Sequence, residues 1–300
     1  MTQPQLGWGA RSFVALQHRL PQHLLSGLMY RLARVRWRPL KDLLILALLR
    51  LYRIDMREAA EPNPRAYPHF NAFFTRALAP GARPLDPAED AILSPVDGTI
   101  SQLGVIEDGG LIQAKGQTYH VVELLGGDLE RARAFQSGTF ATIYLAPSNY
   151  HRIHMPLGGT LEWMAYVPGR LFSVNATTAA LVPGLFARNE RVVCGFESVA
   201  GQLVMVLVGA IFVGGIETVW AGEVTPARVR SQDPQAPRQG EVRLERGAEM
   251  GRFNLGSTVI LLFEPGRMTW SPGLAPGDSV RLGQRLGRLN TGASAAGVAR

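Results

Sequence analysis

Glycine and proline punctuate this chain so densely that long uninterrupted helices are excluded from most of it. The 33 glycines and 20 prolines lie between short apolar runs and are not gathered into one low-complexity block. That spacing favours many strands joined by turns. Thr139 to Leu145, Thr160 to Val167, Arg191 to Glu197, Leu203 to Val213 and Thr258 to Phe263 are rich in β-branched, aromatic or other apolar residues and are bounded by Gly, Pro, Asn or Asp. They are predicted strands of a mainly antiparallel body. Leu203 to Ile216 is apolar for 14 residues but contains three glycines, so a buried strand pair is expected there and not a membrane span. With 46% hydrophobic and 18% charged residues over 300 positions, the chain buries a real core and is not disordered. The fold class expected is mainly β, of α+β type.

Charge is distributed unevenly. Residues 1–60 hold ten Arg or Lys against three acids, which accounts for the whole net charge of +7. A general nucleic-acid binder carries its basic residues on the folded body, so no nucleic-acid partner is expected. From Phe13 to Ile54 apolar clusters alternate with arginines and are broken by Pro21 and Pro39, which predicts two short helices. In the second, Leu40, Leu43, Leu44, Ala47, Leu48 and Leu51 follow the spacing of one helical face. The uninterrupted apolar run Leu43 to Leu49 is seven residues long, whereas a membrane span needs about 20, and the segment lacks the longer core and cleavage site of a signal peptide. Residues 1–60 therefore read as a basic amphipathic arm lying on an anionic membrane surface, each arginine gaining about 1 kcal/mol there. Packing of the same helices on the body, or on a second copy of the chain in a homodimer, is the alternative. Residues 61–290 are expected to form one folded body. Within it, PHFNAFFTRAL (Pro68 to Leu78) predicts one more short helix with inward aromatics, and Ser231 to Gly240 an exposed loop. Residues 291–300 are a small, polar, frayed tail. The single cysteine, Cys194, excludes an internal disulfide, indicates a cytosol-facing chain and is expected in a buried strand.

No GxGxxG follows a strand and no GxxxxGK[ST] is present, so neither a dinucleotide fold nor a P-loop is supported. Lys41 and Lys115 are the two lysines, and pyridoxal-phosphate chemistry would rest on Lys115 alone. Three clusters remain: Ser94-Pro95-Val96-Asp97-Gly98, Tyr150-His151-Arg152-Ile153-His154-Met155-Pro156, and Phe253-Asn254-Leu255-Gly256-Ser257-Thr258. Each alone reads as a turn, a polar rim or a strand entry. Together they supply the acid, base and hydroxyl of a Ser-His-Asp relay. The order Asp, His, Ser also occurs in subtilisin-type hydrolases, although the GxSxG elbow is lacking.

Read in order, FNAFFTRAL, SPVDGTI, QAKGQTY, YHRIHMP, YVPGRLFSVN, LFARNERVV, VGAIFVGGIETVWAG and GRFNLGSTVILLF resemble the phosphatidylserine decarboxylase family, bacterial membrane-associated type, from about Phe70 to Phe263. The LGST tetrapeptide resembles its self-cleavage site. The resemblance implies that Ser257 Oγ, deprotonated by His154 with Asp97 holding that imidazole, attacks the Gly256 carbonyl. β-Elimination then cuts the chain into a β chain, 1–256, and an α chain, 257–300, and a pyruvoyl group replaces Ser257. Glycine at 256 leaves the nucleophile unobstructed and permits backbone strain. The pyruvoyl group, the one cofactor implied, without metal or pyridoxal phosphate, takes the serine amine of the lipid as a Schiff base. His151 is implied as the proton donor after CO₂ loss, with lipid-phosphate binding as its alternative role. In the Gly169 to Asn175 loop, Leu171 and Phe172 are expected as an exposed apolar tip beside Ser173 and Asn175, together contacting the substrate; an inward-folded aromatic is the alternative. Lys115 and Glu217-Thr218-Val219-Trp220 match the family and are assigned to structure. The implied body is related to barrel-sandwich hybrids, and the implied partners are phosphatidylserine and anionic lipid at the cytoplasmic face of the cell membrane. Two other functions fit the residues. One is a non-catalytic carrier of hybrid-barrel type, which needs an exposed lysine at a hairpin tip, with Lys115 the only body lysine. The other is a serine hydrolase that uses the relay without cutting itself.

Overall fold

The computed structural model describes residues 7–212, 215–225, 241–254 and 256–290. The predicted loop Ser231 to Gly240, the tail from Thr291, Val213 with Gly214, and Leu255 of the LGST motif lie outside the described residues.

Three helices, not two, precede the body: α1 (Trp8–Arg19), α2 (Gln22–Ala33) and α3 (Arg38–Tyr52). Pro21 separates the first two, and Pro39 occupies the first turn of α3, where its missing N–H is no loss. Helix α1 buries Val14 and Gln17, so its inward face is half polar and lacks the apolar period that marks a helix in sequence. The apolar face predicted for α3 divides. Lys41 and Ile45 are buried and Leu44 and Leu48 half-buried, whereas Leu43 and Leu51 stay 65% and 73% exposed. The helix is apolar around more than half its circumference, and one side packs while the other does not. The packed side meets α4 (Phe70–Phe74), where Ala33, Ile45, Tyr67, Phe70, Phe73 and Phe74 form one buried cluster.

The body centres on an eight-stranded antiparallel sheet. Its order is Arg243–Leu244, Gly159–Val167, Arg191–Ser198, Gly201–Val208, Ser257–Phe263, Thr139–Leu145, Gly98–Val105, Ser279–Val280. Four of the five predicted strands match it within two residues at each end. The fifth ends at Val208, five residues early, where Gly209 leads into a turn with Phe212 at φ 66°. Ile216–Thr218 belongs to a second sheet, ordered Gly222–Thr225, Ile216–Thr218, Glu249–Phe253, Arg152–His154, so the long apolar stretch supplies two strands that do not pair with each other. The central strands are buried on both faces, and period two splits their side chains between two cores. Leu203, Met205, Leu207, Val259, Leu261 and Phe263 enter one, and Val204, Val206, Val208, Ile260 and Leu262 the other. Cys194 lies fully buried in the same sheet. Among the described residues no sheet closes into a barrel, and the architecture is α+β with open sheets.

Candidate active site

All three sequence clusters converge on one end of the strand Thr139–Leu145. Ser257 opens its own strand opposite Leu145 on one side. On the other side Thr99 pairs with Tyr144, which brings Asp97, two residues earlier, to the same end. Gly98 makes this approach possible, since a Cβ there would lie 2.6 Å from the Tyr144 carbonyl oxygen. The chain leaving Leu145 turns at Asn149, whose Oδ1 accepts the Ala146 N–H at 2.8 Å, and enters the histidine segment. The His154 N–H donates to Pro95 O at 2.9 Å, and the Phe253 N–H donates to His151 O at 3.0 Å. Backbone bonds thus tie the histidines to both the Asp97 turn and the strand that leads to Gly256.

Asp97 is buried, and its carboxylate accepts from Arg83 Nε at 2.9 Å, from Arg83 Nη2 at 2.6 Å and from the Leu282 N–H at 2.9 Å. Arg83 also holds Glu58 at 2.8 Å. His154 donates through Nδ1 to Gly247 O at 2.8 Å and accepts at Nε2 from the Tyr150 hydroxyl at 3.1 Å. A carbonyl can only accept, which fixes the tautomer. Burial holds His154 below the usual histidine range, against the opposing Gly247 bond. Asp97 and His154 therefore share no hydrogen bond.

His151 differs. It is fully buried against Phe74, with ring centroids 4.2 Å apart, and donates through Nδ1 to Asn149 O at 2.8 Å. Burial lowers its pKa to about 3, so the imidazole is neutral and its Nε2 carries a lone pair. Among the described residues neither that Nε2 nor the buried Oγ of Ser257 has a hydrogen-bond partner. A Cβ at Gly256 would meet, among the described residues, only Leu145 O at 3.7 Å. That spacing is ordinary van der Waals contact, so packing around the Gly256 α-carbon leaves room for a nucleophile to approach.

Two cavities flank this point. One, of about 420 Å³, reaches Gly256 and is walled on the arm side by Met29, Leu48 and Tyr52 and on the body side by Phe70, Val174 and Phe212. The other, of about 240 Å³, is charged and includes Arg76, Arg83, Asp97 and Tyr150. Of the four expected lipid contacts, Ser173 alone lines the larger cavity. Leu171 and Phe172 are buried and form no exposed tip, because α1 and α2 cover them. Gln22 Oε1 accepts the Leu171 N–H at 2.9 Å, Gln17 Oε1 accepts the Ser173 N–H at 2.7 Å, and the His18 ring lies 4.8 Å from Phe172. Asn175 caps the helix Ala176–Leu181 through the Thr178 N–H. Glu217 binds Arg252 at 2.6 Å and Asn254 at 3.0 Å. Lys115 stands exposed at φ 50° between the paired strands Gly110–Ala114 and Gln117–His120. Among the described residues no three His, Cys, Asp or Glu side chains gather as a metal site.

Sequence reasoning missed Arg83, Tyr150 as the His154 partner, and the three arm side chains Gln17, Gln22 and Ser26, the last accepting the Phe212 N–H at 3.1 Å. Only Tyr150 left a local signal, four residues from His154.

Comparison with known proteins follows the same outline. A family model described as phosphatidylserine decarboxylase matches residues 70–288, and a second, described as PSD, matches residues 12–53. The chain is 56% identical over 279 residues to a phosphatidylserine decarboxylase proenzyme of Ectopseudomonas mendocina, covering 92% of this chain and 98% of that one. It is 55% identical over 285 residues to the proenzyme of that name from Azotobacter vinelandii, at 93% and 99% coverage. The corresponding proenzyme of Nitrosococcus oceani is 55% identical over 277 residues, at 92% and 90%.

Proposed function

The chain belongs to the phosphatidylserine decarboxylase family, and from that premise we propose that it cuts itself between Gly256 and Ser257 and then decarboxylates phosphatidylserine to phosphatidylethanolamine and CO₂. The observation that carries this reading is the buried, unpartnered Ser257 hydroxyl beside a glycine that lines an apolar cavity. A sequestered hydroxyl without a partner is costly unless it serves chemistry.

The same observation fits the pyruvoyl group that such enzymes make from their own chain: Ser257 is its source, and the space at Gly256 is open. When formed, that group supplies a ketone that draws in the electron pair left by departing CO₂. To form it, Ser257 Oγ loses its proton and bonds to the Gly256 carbonyl carbon, and the Gly256–Ser257 C–N bond breaks, leaving an ester and a free amine. Loss of the Ser257 α-proton then expels the Gly256 carboxylate. Water replaces the nitrogen, which leaves as ammonia.

A base must take the Ser257 proton. The family motif assigns that role to His154, held and charged by Asp97; for this, Tyr150 must release Nε2 and Asp97 must turn from Arg83. The free lone pair on His151 Nε2 favours a second reading, in which His151 is the acceptor. His151 is neutral and keeps an unused acceptor, but burial weakens it as a base, so this reading requires the site to rearrange or admit water before the proton moves. Its delivery of a proton after CO₂ loss would follow once it is charged.

Among the described residues no helix is long and apolar enough to cross a membrane. Trp8, Phe13, Leu16, Leu24, Leu28, Trp37, Leu43 and Leu51 are exposed on the arm together with Arg31, Arg36, Arg38, Arg50 and Arg53. That combination supports residues 1–60 as a peripheral anchor on the anionic cytoplasmic leaflet. The exposed Lys115 is where a carrier module would need it, but the family match weighs against that role.

Denaturing mass spectrometry tests the proposal. Wild type is expected to show two fragments in place of the 32.7 kDa chain and to release CO₂ from phosphatidylserine. Ser257→Ala is expected to stay whole and inactive, and an active alanine variant would end the proposal.

A further inference from the structure

Among the described residues five Lys, Arg, Asp or Glu side chains are buried, and four of them are satisfied. Lys41 holds Asp42 and the Arg65 carbonyl, Asp97 holds Arg83, Glu190 accepts from Tyr166, and Arg191 donates to Leu124, Ala187, Asn189 and Glu123 carbonyls. Arg76 is the exception. It is 6% exposed, its guanidinium lies over the Phe73 ring at 5.4 Å, and among the described residues its Nη1 is sequestered without a hydrogen-bond partner. Burial draws its pKa below the usual arginine value. The nearby carboxylates are already engaged: Asp55 with Arg57, Glu58 with Arg83 and Arg281, and Asp97 with Arg83. A buried guanidinium without a counter-charge is kept only when something offsets its lost hydration.

The engaged carboxylates Asp55, Glu58 and Asp97 line the smaller cavity, and so does Arg76, beside Arg53, Arg281, Asn149 and Tyr150. The last two lead directly into His151, which is itself close enough to feel the Arg76 charge. A volume of about 240 Å³ suits a headgroup and excludes acyl chains. A substrate lipid offers two anions, the carboxylate and the phosphodiester. Pairing an arginine with the carboxylate would stabilise the group that has to leave and raise the barrier, whereas the phosphodiester keeps its charge throughout the reaction. We propose that Arg76 seats the phosphodiester of the lipid headgroup, an inference that rests on the decarboxylase reading above.

The test uses full-length protein with dihexanoyl phosphatidylserine, a soluble substrate that takes vesicle binding out of the measurement. Arg76→Met is expected to raise KM about 10- to 100-fold, the scale of a lost charge-assisted contact, with kcat changed less than about threefold. Arg76→Lys is expected to fall between. Thermal unfolding gives an independent readout: Arg76→Met should raise Tm by about 2–4 °C, because an unpaired buried charge has been removed. Inorganic phosphate should raise the Tm of wild type and leave Arg76→Met unmoved. An unchanged KM overturns the proposal, even if phosphate still stabilises wild type, since the site would then hold free phosphate and not the headgroup. A fall in kcat at constant KM, or a Tm that drops in both variants, also overturns it and makes Arg76 a carboxylate contact or a structural residue. If wild type releases no CO₂ from the lipid, the decarboxylase reading fails, while the phosphate-dependent Tm still reports on the site.

Discussion

The two cavities that border residues 144–150 are built in opposite ways. The charged one is walled by arginines and carboxylates that lock one another, Arg83 gripping both Asp97 and Glu58. The apolar one is walled by Met29, Leu48, Tyr52, Phe70 and Phe212, yet its shape is set by polar groups behind the wall. Gln17, Gln22 and Ser26 satisfy the N–H groups of Ser173, Leu171 and Phe212, so the arm fixes the two loops that face Gly256. The difference matches a ligand with a charged end and an oily end, and it means that each side can be disabled separately.

The largest effect is expected on the charged side. Arg83→Met leaves Asp97 buried without its partner, and breaking a buried pair in this way costs about 3–5 kcal/mol. Urea unfolding should show that loss, and a denaturing gel should show self-cleavage slowed beyond a hundredfold. Normal cleavage would confine the charged cavity to binding. Next come the histidines. His154→Ala is expected to accumulate the whole chain, and His151→Ala to cleave but release CO₂ at least about a hundredfold more slowly. The reverse pattern would place the cleavage base at His151.

On the apolar side, Leu48→Glu should leave cleavage intact and raise KM for long-chain phosphatidylserine about tenfold more than for the dihexanoyl lipid, reflecting lost apolar contact of roughly 1–2 kcal/mol. Equal effects on both lipids would mean that acyl chains do not enter this cavity. A smaller change is expected from reversing Arg31, Arg36 and Arg38 to Glu, which should weaken sedimentation with anionic vesicles in a salt-sensitive way. Arg34 is omitted because it pairs with Glu223. Deletion of the whole arm is uninformative, since it would also strip Ala33 and Ile45 from a core cluster.

The effect that vanishes at neutral pH is confined to acid. His151 is held neutral to about pH 3 when folded but titrates near 6.5 when unfolded. Its contribution to stability is therefore complete above about pH 6.5 and is lost as pH falls towards 3, at up to about 1.4 kcal/mol per pH unit. His154 adds in the same direction. His151→Gln should flatten this slope in urea titrations, and an unchanged slope would show that the ring is hydrated.

What was legible in the sequence was local or period-bound. Strands such as Thr139–Leu145 announce themselves through β-branched runs between turn residues, and the Asp97, His151–His154 and Gly256–Ser257 clusters through motifs whose spacing is covalent. Helix α1 was not legible, because its inward face carries Gln17, whose partners Thr178 and Ser173 lie far along the chain. Nor was the burial of Leu171 and Phe172, which depends on what folds over them. Arg83 is separated from Asp97 by a segment that includes the strand Ala91–Leu93, and nothing near Arg76 in sequence says that it will be left alone. The sequence by itself determined the strands, the sheet-rich class and the chemistry on offer. Only the tertiary structure decided which charges are paired, which hydroxyl and imidazole are left without partners, and which apolar faces are covered, because burial and pairing depend on residues that arrive from elsewhere in the chain.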